Sequence, residues 1–284
     1  MISGSTAVYG IFGYPVKHTF SPGMQNTAFQ ALGIDACYLP FPVRPETLGE
    51  AVRSMRVLGI QGLNITVPHK ELVIPHLDEL SEEARFIGAV NTIEVREGKL
   101  VGHNTDGRGF LRSLRDDARF RPKGKRFLFI GSGGAARAVG FSLALAGAAW
   151  IRFIDLDRKK AGVLAGDIGN RTGADAIAIE EDALPETAQE ADALINATPL
   201  GLKRTDPLPL SPRHLRKGHL VCDLVYNPPE TPLLKAARSA GAKRLPGLGM
   251  LLFQGVIAFE IWTGRKAPVD KMRTALKRQI QDIR

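Results

Sequence analysis

Lys70 and Asp106 are the residues of this 284-residue chain best suited to moving a proton. Lys70 closes the run Thr66-Val67-Pro68-His69-Lys70, just past a strand end and on the first turn of a following helix, where the helix dipole disfavours a cation. A lysine beside a carboxylate can exchange a proton with a substrate hydroxyl, and Asp106 is the candidate carboxylate. Burial lowers a lysine pKa and an aspartate neighbour raises it, so the sequence leaves the charge of Lys70 open. Each residue also has an ordinary reading: Lys70 as a solvated side chain, Asp106 as the N-cap of a helix through Phe110–Leu114.

A second set of residues points to an anion. Gly131-Ser132-Gly133-Gly134-Ala135-Ala136 follows the apolar strand Phe127–Ile130 and opens a helix, the setting in which G-x-G-x-x-A binds a dinucleotide pyrophosphate. Gly131 permits the tight turn, Gly133 lets the backbone approach the pyrophosphate, and Ala136 allows close helix–strand packing, with the helix N-terminus facing the charge. The bland alternative is a glycine turn that only packs. The next strand, Ile151–Ile154, runs into Asp155-Leu156-Asp157, and Asp155 lies 24 positions after Gly131. An acid there accepts hydrogen bonds from the adenosine ribose and repels a 2′-phosphate, which leans toward NAD over NADP. Arg158, Lys159 and Lys160 oppose that lean, since one of them could fold back on a phosphate; as a solvated helix start they would not.

The elements that must position these residues follow an α/β rhythm. Strands at Ala7–Ile11, Cys37–Phe41 and Gly62–Thr66 alternate with helices after Ser21-Pro22 and Pro45 and at Pro68, so the helix starts lie at the carboxyl ends of strands, where open α/β sheets bind ligands. Val90–Val95 and Leu100–Asn104 read as a hairpin; a turn centred on Glu97-Gly98 sets Asn91 opposite Asn104 and brings Asn91 and Asp106 out at one end. From Arg126 a second run of strands and helices follows, with strands also at Ala176–Ile179, Ala193–Asn196 and Leu220–Val225. Met250–Trp262 and Val269–Ile283 are helical by periodicity and pack back on the first part.

Length and composition suit two domains of ordinary globular make-up, with 44% hydrophobic and 24% charged residues. The longest apolar runs, such as Phe141–Trp150, fall short of the ~18 residues that span a bilayer, so no membrane association is expected. Residues 1–10 lack a secretory pattern, which makes a cytoplasmic location the expectation. Cys37 and Cys222 read as buried thiols, and no His, Cys or carboxylate cluster has metal-ligand spacing, so no metal is expected. Trp150 and Trp262 read as core. The net charge of +9 and the seven basic residues between Arg112 and Arg126 raise nucleic acid as a partner. Asp116 and Asp117 interrupt the run and no aromatic interleaving accompanies it, so a basic surface attracting anionic small molecules is the preferred reading.

Six segments resemble the shikimate dehydrogenase family in order and spacing: Gly13-Tyr14-Pro15-Val16-Lys17-His18-Thr19-Phe20-Ser21-Pro22, Asn64-Ile65-Thr66-Val67-Pro68-His69-Lys70, Gly88-Ala89-Val90-Asn91-Thr92, Asn104-Thr105-Asp106-Gly107, Asn196-Ala197-Thr198-Pro199 and Gly249-Met250-Leu251-Leu252-Phe253-Gln254. The resemblance covers nearly the whole chain. It implies reversible reduction of 3-dehydroshikimate to shikimate in the chorismate route to aromatic amino acids, with hydride carried by a nicotinamide cofactor, by family default NADP. It further implies a catalytic pair of Lys70 and Asp106, and Thr19, Ser21 and Tyr226 on the substrate carboxylate. Asn64, Thr66, Asn91 and Gln254 would hold the ring hydroxyls, and Asn196, Thr198, Gly249 and Met250 would line the nicotinamide and its ribose. Gly131, Ser132, Gly133, Gly134, Ala135 and Asp155 complete the expected cofactor site. His18 and His69, though inside these segments, read as structural.

Two departures stand out. Thr19 replaces the family's usual serine, adding a methyl group that could change how quinate is admitted. Asp155-Leu156-Asp157 replaces the Asn-Arg-Thr that members present to the NADP phosphate, and NAD-using quinate/shikimate dehydrogenases carry a similar acidic end. The expected architecture is an α/β substrate domain, residues 1–107 plus 248–284, and a Rossmann-like dinucleotide-binding domain, residues 108–247, with the C-terminal helices returning to the first domain, the active site in the cleft and a monomer or homodimer as the assembly. An NAD-dependent quinate/shikimate dehydrogenase and a catalytically silent dinucleotide-binding regulator are the competing functions.

Overall fold

The structure, a computed structural model, describes residues 2 to 282. Met1, Ile283 and Arg284, which the expected domain ranges and last helix include, lie outside the described residues. The first strands and helices are β1 (Ala7–Gly13), α1 (Ser21–Ala31), β2 (Ala36–Pro42), α2 (Leu48–Val57) and β3 (Ile60–Ile65). They are followed by α3 (His69–Leu72), β4 (Glu79–Leu80), α4 (Glu82–Ile87), β5 (Thr92–Arg96) and β6 (Lys99–His103). These strands form one sheet in the order β2-β1-β3-β5-β6-β4, with β1 parallel to β2 and β3, and β5 antiparallel to β3 and β6.

The β5–β6 register pairs Thr92 with His103 and Arg96 with Lys99, leaving Glu97-Gly98 as a two-residue turn. Both turn residues have positive φ, 52° and 78°, the combination whose twist matches an antiparallel pair. The hairpin therefore centres where the sequence places it. The amide of Asn91 donates to the carbonyl of His103 (3.0 Å), carrying the pairing one step further toward Asn104.

The chain continues through α5 (Asp106–Asp116), β7 (Arg126–Ile130), α6 (Gly134–Leu145), β8 (Trp150–Ile154), α7 (Arg158–Thr172) and β9 (Ala176–Ala178). Then come α8 (Leu184–Glu190), β10 (Ala193–Asn196), β11 (Leu220–Asp223), α9 (Pro232–Ser239) and β12 (Lys243–Pro246), before the closing helices α10 (Leu248–Thr263) and α11 (Val269–Asp282). The second sheet is parallel throughout, in the order β12-β11-β10-β7-β8-β9. Strand order reverses between β7 and β10, so the loops leaving those two strands flank a topological switch point, where doubly wound sheets bind ligands.

The chain divides into two compact units, one containing residues up to Thr105 and those from Leu252 onward, the other Asp106–Leu251. In the first, Phe12, Leu63, Ile65, Val90, Ile93 and Leu100 form a core with Val52 and Met55 of α2. On the other side of that sheet the aromatic rings of Trp262, Tyr9, Phe29 and Phe259 lie 5.1 to 5.3 Å apart in successive pairs, and the Trp262 indole donates to the Ile93 carbonyl. Residue 62 must be glycine there, because an added Cβ would come within 2.4 Å of that indole. In the second unit Leu128, Leu194 and Val221 pack with Leu233, Leu234 and Ala237 of α9, while Phe129 stacks on Phe153 at 4.9 Å.

Some local expectations change. Helix α3 is only four residues long and carries little macrodipole, so Lys70 does not sit against a helix dipole as the sequence suggests. Strands β4 and β12 are too short, and β12 too polar, for periodicity to reveal. Cys222 is buried, but Cys37 is half-buried on the edge strand β2. Both tryptophans are half-buried, and Arg152 lies over the Trp150 ring. Of the basic run, Arg112 and Arg115 pair with Asp116, and Lys125 and Arg126 with Asp192.

His219, buried just before β11, accepts a hydrogen bond from the Arg216 amide at Nδ1 (3.2 Å). Burial and then the Arg216 charge depress its pKa to about 4, against weaker opposing effects of the Ala188 backbone and Asp192. An unfolded histidine titrates near ~6.5. Between those values the unfolded chain takes up a proton that the folded chain refuses, so stability falls as pH drops through this window. His219→Asn keeps an acceptor for the Arg216 amide and is expected to flatten the decline in unfolding free energy from pH 6.5 to pH 4, by at most about 3 kcal/mol. Equal slopes for the two proteins in urea titrations across that range would rule His219 out as the source.

Candidate functional site

The ends of β3 and β5 and the segment after β6 bring together a buried cluster of neutral polar groups. Asn64, the penultimate residue of β3, accepts from the Tyr38 hydroxyl at Oδ1 (2.7 Å) and donates through Nδ2 to the Asn91 carbonyl (3.2 Å) and Thr92 Oγ1 (3.1 Å). Asn91 accepts at Oδ1 from the Thr105 amide (2.8 Å), and its Nδ2 donates to Thr105 Oγ1 (2.9 Å) and Gln254 Oε1 (3.4 Å). Asn104, the hairpin partner of Asn91, donates to the Ala89 carbonyl (2.9 Å). Strand geometry explains the convergence: hairpin register fixes Asn91 against the segment leaving β6, and α10 supplies Gln254 from the far end of the chain.

Lys70 is half-buried on α3, and its main-chain carbonyl accepts from the Val90 amide (2.8 Å), which fixes the lysine backbone one residue from Asn91. Asp106 is buried as the first residue of α5. Its backbone follows directly on Thr105, which the Asn91 side chain grips from two sides. Ser21 is buried at the start of α1, its amide donating to Thr19 Oγ1 (3.3 Å), and Thr66 sits half-buried just past β3.

Within the second unit, Gly131 directly follows β7 with φ of 100°, a conformation that needs glycine, and its backbone lies against the 197–198 loop: an added Cβ would come within 2.8 Å of the Thr198 methyl. The glycine loop and the loop after β10 thus meet at the switch point. Residue 133 is different, since a Cβ there would meet nothing within 4 Å, which leaves the space in front of the first turn of α6 for a ligand. The first amides of that helix have no intrahelical acceptor, so an anion is the natural partner. Gly134 and Ala135 form this turn and are half-buried.

Asp155 is joined to the loop. Its Oδ2 accepts from both the amide and the hydroxyl of Ser132, each at 2.7 Å, and its Oδ1 from the Asp157 amide (3.0 Å). Burial pushes the Asp155 pKa up, but the Ser132 hydroxyl, the Asp157 and Ser132 amides and the Lys160 charge together hold it below the usual value. Asp157 caps α7 by accepting from the Lys160 amide, and Arg158 pairs with Glu180. Leu156 is fully exposed.

Several expected site residues take structural contacts. The Asn196 carboxamide is buried, donating to the Leu200 carbonyl (3.0 Å) and Asp223 Oδ1 (2.8 Å) and accepting from the amide and hydroxyl of Thr198. Gly249 is required by α5, where a Cβ would meet Ser113 Oγ at 2.2 Å, and Met250 is buried beside it. Tyr226 is half-buried three residues past β11. His69 is buried with Nε2 on the Val43 carbonyl (2.7 Å). Tyr38, Thr105, Asp223 and Thr231 join these networks without having been singled out in the sequence; only Thr105, beside Asp106, carried a signal. Among the described residues no three or more His, Cys, Asp or Glu side chains cluster as a metal site, and no helix is long and apolar enough to cross a membrane.

This geometry coincides with clear kinship. A family model described as the shikimate dehydrogenase substrate binding domain matches residues 11–93, and one described as the shikimate 5′-dehydrogenase C-terminal domain matches residues 247–277. The shikimate dehydrogenase (NADP(+)) of Desulforamulus reducens is 50% identical over 283 residues, covering 98% of this chain and 97% of its own. A crystal structure of a shikimate dehydrogenase in complex with NADP+ is 39% identical with a TM-score of 0.92, covering 99% of this chain and 98% of that one. The shikimate 5-dehydrogenase of Listeria monocytogenes, in complex with shikimate and NAD, is 36% identical with a TM-score of 0.89, covering 97% and 98%.

Tyr38→Phe removes the donor that satisfies Asn64 Oδ1 inside this cluster and is expected to lower the unfolding free energy in urea by about 1 to 3 kcal/mol. A loss below about 0.5 kcal/mol would mean that the tyrosine hydroxyl is not what balances the buried amide.

Proposed function

The chain belongs to the shikimate dehydrogenase family, and from that premise we propose that it interconverts shikimate and 3-dehydroshikimate with a nicotinamide dinucleotide, Lys70 and Asp106 serving as the catalytic pair. The observation that carries the reading is the buried set of neutral donors and acceptors on Asn64, Asn91, Thr105 and Gln254, adjoining the backbone of both Lys70 and Asp106. Neutral groups of this kind orient a polyol and reject analogues that leave a buried partner unpaired. The unit of residues up to Thr105 and from Leu252 is the substrate domain in this reading, and Asp106–Leu251 the cofactor domain.

The bound dinucleotide supplies the hydride acceptor, and the chain supplies the proton chemistry and the placement. In the oxidation direction Lys70, in its amine form, accepts the proton of the hydroxyl at the reacting carbon while the carbon-bound hydrogen leaves as hydride. The resulting ammonium is balanced by the Asp106 carboxylate and returns the proton in the reverse direction. Thr19, Ser21 and Tyr226 hold the substrate carboxylate through hydroxyls, and Asn64, Thr66, Asn91 and Gln254 face the ring hydroxyls. Tyr38 and Thr92 preset the Asn64 amide for that task, as Thr105 and Gln254 preset the amide of Asn91.

Asp155 supports a choice between the two dinucleotides. Its carboxylate is held ionised against the glycine loop, so a 2′-phosphate brought beside it meets a fixed negative charge. NAD is therefore the preferred partner in our reading, although the Desulforamulus relative carries NADP(+) in its name.

Reduced-nicotinamide absorbance with shikimate or quinate and either dinucleotide tests these points together. Shikimate turnover is expected, with Lys70→Ala lowering kcat/KM by about 10² to 10⁴-fold, and inert protein that still binds dinucleotide would overturn the assignment. Asp155→Asn is expected to move the NAD-to-NADP ratio of kcat/KM toward NADP by about tenfold or more; a wild-type preference for NADP would refute the cofactor choice.

A further inference from the structure

One buried acid of the second unit takes no part in the chemistry above. Asp223 ends β11 with no measurable exposure, and among the described residues no Lys, Arg or His pairs with it. Its three donors are neutral: Asn196 Nδ2 (2.8 Å) and the Val225 amide (3.0 Å) reach Oδ1, and the Thr231 hydroxyl (2.6 Å) reaches Oδ2. A carboxylate buried among neutral groups is a costly way to join strands that apolar side chains could join. What it adds is direction, because each oxygen fixes a different segment of chain.

Through Asn196, whose Oδ1 takes the amide (3.1 Å) and hydroxyl (2.6 Å) of Thr198, the carboxylate reaches the loop after β10. The Val225 amide fixes the exit of β11 one residue before Tyr226. Thr231 anchors the far end of that loop, since its hydroxyl oxygen also caps α9 by accepting from the Leu234 amide (3.2 Å). A third segment leans on the same place: a Cβ on Gly247 would come within 2.4 Å of the Leu224 carbonyl oxygen and 2.9 Å of that of Asp223, and Gly249 and Met250 follow two and three residues later.

We propose that Asp223 is a positioning residue of the dehydrogenase, setting the placement of Thr198 relative to Tyr226 and so aligning the nicotinamide end of the cofactor with the substrate while touching neither. The proposal rests on the functional reading above. It separates two halves of cofactor recognition: the adenosine and pyrophosphate half depends on the glycine loop and Asp155, the nicotinamide half on the Asp223 network.

The test uses the full chain with Asp223→Asn, Thr231→Val and Thr231→Ser, titrated with NAD and with ADP-ribose, which lacks the nicotinamide, and assayed for shikimate oxidation. Asp223→Asn and Thr231→Val are expected to lower kcat by about tenfold or more and to weaken NAD, while the ADP-ribose Kd stays within about twofold. Thr231→Ser, which keeps the hydroxyl, is expected to retain at least about half of the wild-type kcat. A general loss of folding would instead weaken both ligands in parallel, and that result, or a kcat within about twofold of wild type in Asp223→Asn, overturns the proposal. Because the two Kd values do not involve the substrate, a wild-type chain inert toward shikimate would overturn the functional reading while the binding ratio still decides the role of Asp223.

Discussion

A carboxamide buried away from water must find partners for two N–H donors and a carbonyl oxygen, and Asn91 meets that demand entirely from within the chain. Its oxygen takes the Thr105 amide, and its nitrogen serves Thr105 Oγ1 and Gln254 Oε1. Those partners come from the segment after β6 and from a helix more than 160 residues away. The hairpin register, the path of the chain beyond His103 and the placement of α10 are thus bound to the same few polar atoms. Moving any one of them would leave a buried amide group unmatched, a loss of about 1 to 3 kcal/mol. A site built this way is rigid before substrate arrives, which is what recognition of a hydroxylated ring requires.

The second unit solves a different problem with backbone rather than amides. Its sheet reverses direction at β7 and β10, and the two loops there meet only because Gly131 has no side chain to hold them apart. Asp155 then stabilises the loop from the neighbouring strand. The carboxylate that would address a ribose also holds Ser132, so cofactor choice and loop shape are coupled through a single side chain.

Much of this was legible in the sequence where the signal is local. The glycine loop announces itself by following an apolar strand and opening a helix, and the Glu97-Gly98 turn follows from two runs of strand-forming residues around a glycine. Hairpin arithmetic then placed Asn91 correctly. Gln254 and Tyr226 could be named only through resemblance, because neither periodicity nor spacing relates them to Lys70. Tyr38 and Thr231 were invisible, since a hydroxyl acquires meaning only when a distant amide or carboxylate is folded against it. The four-residue length of α3 and the polar strand β12 escaped notice for a related reason: short elements lack enough turns or alternations to register a period.

The border between the two compact units falls between Thr105 and Asp106. One peptide bond therefore separates the acid from the threonine that Asn91 clamps, although the acid opens a helix of the other unit. Its location is fixed from both sides, because the next residue, Gly107, packs so closely on Ser142 and Ala138 of α6 that no Cβ fits there. A chimera assembled from two relatives would keep the carboxylate in place only if both the Asn91 clamp on Thr105 before it and the packing of Gly107 on α6 after it came through intact.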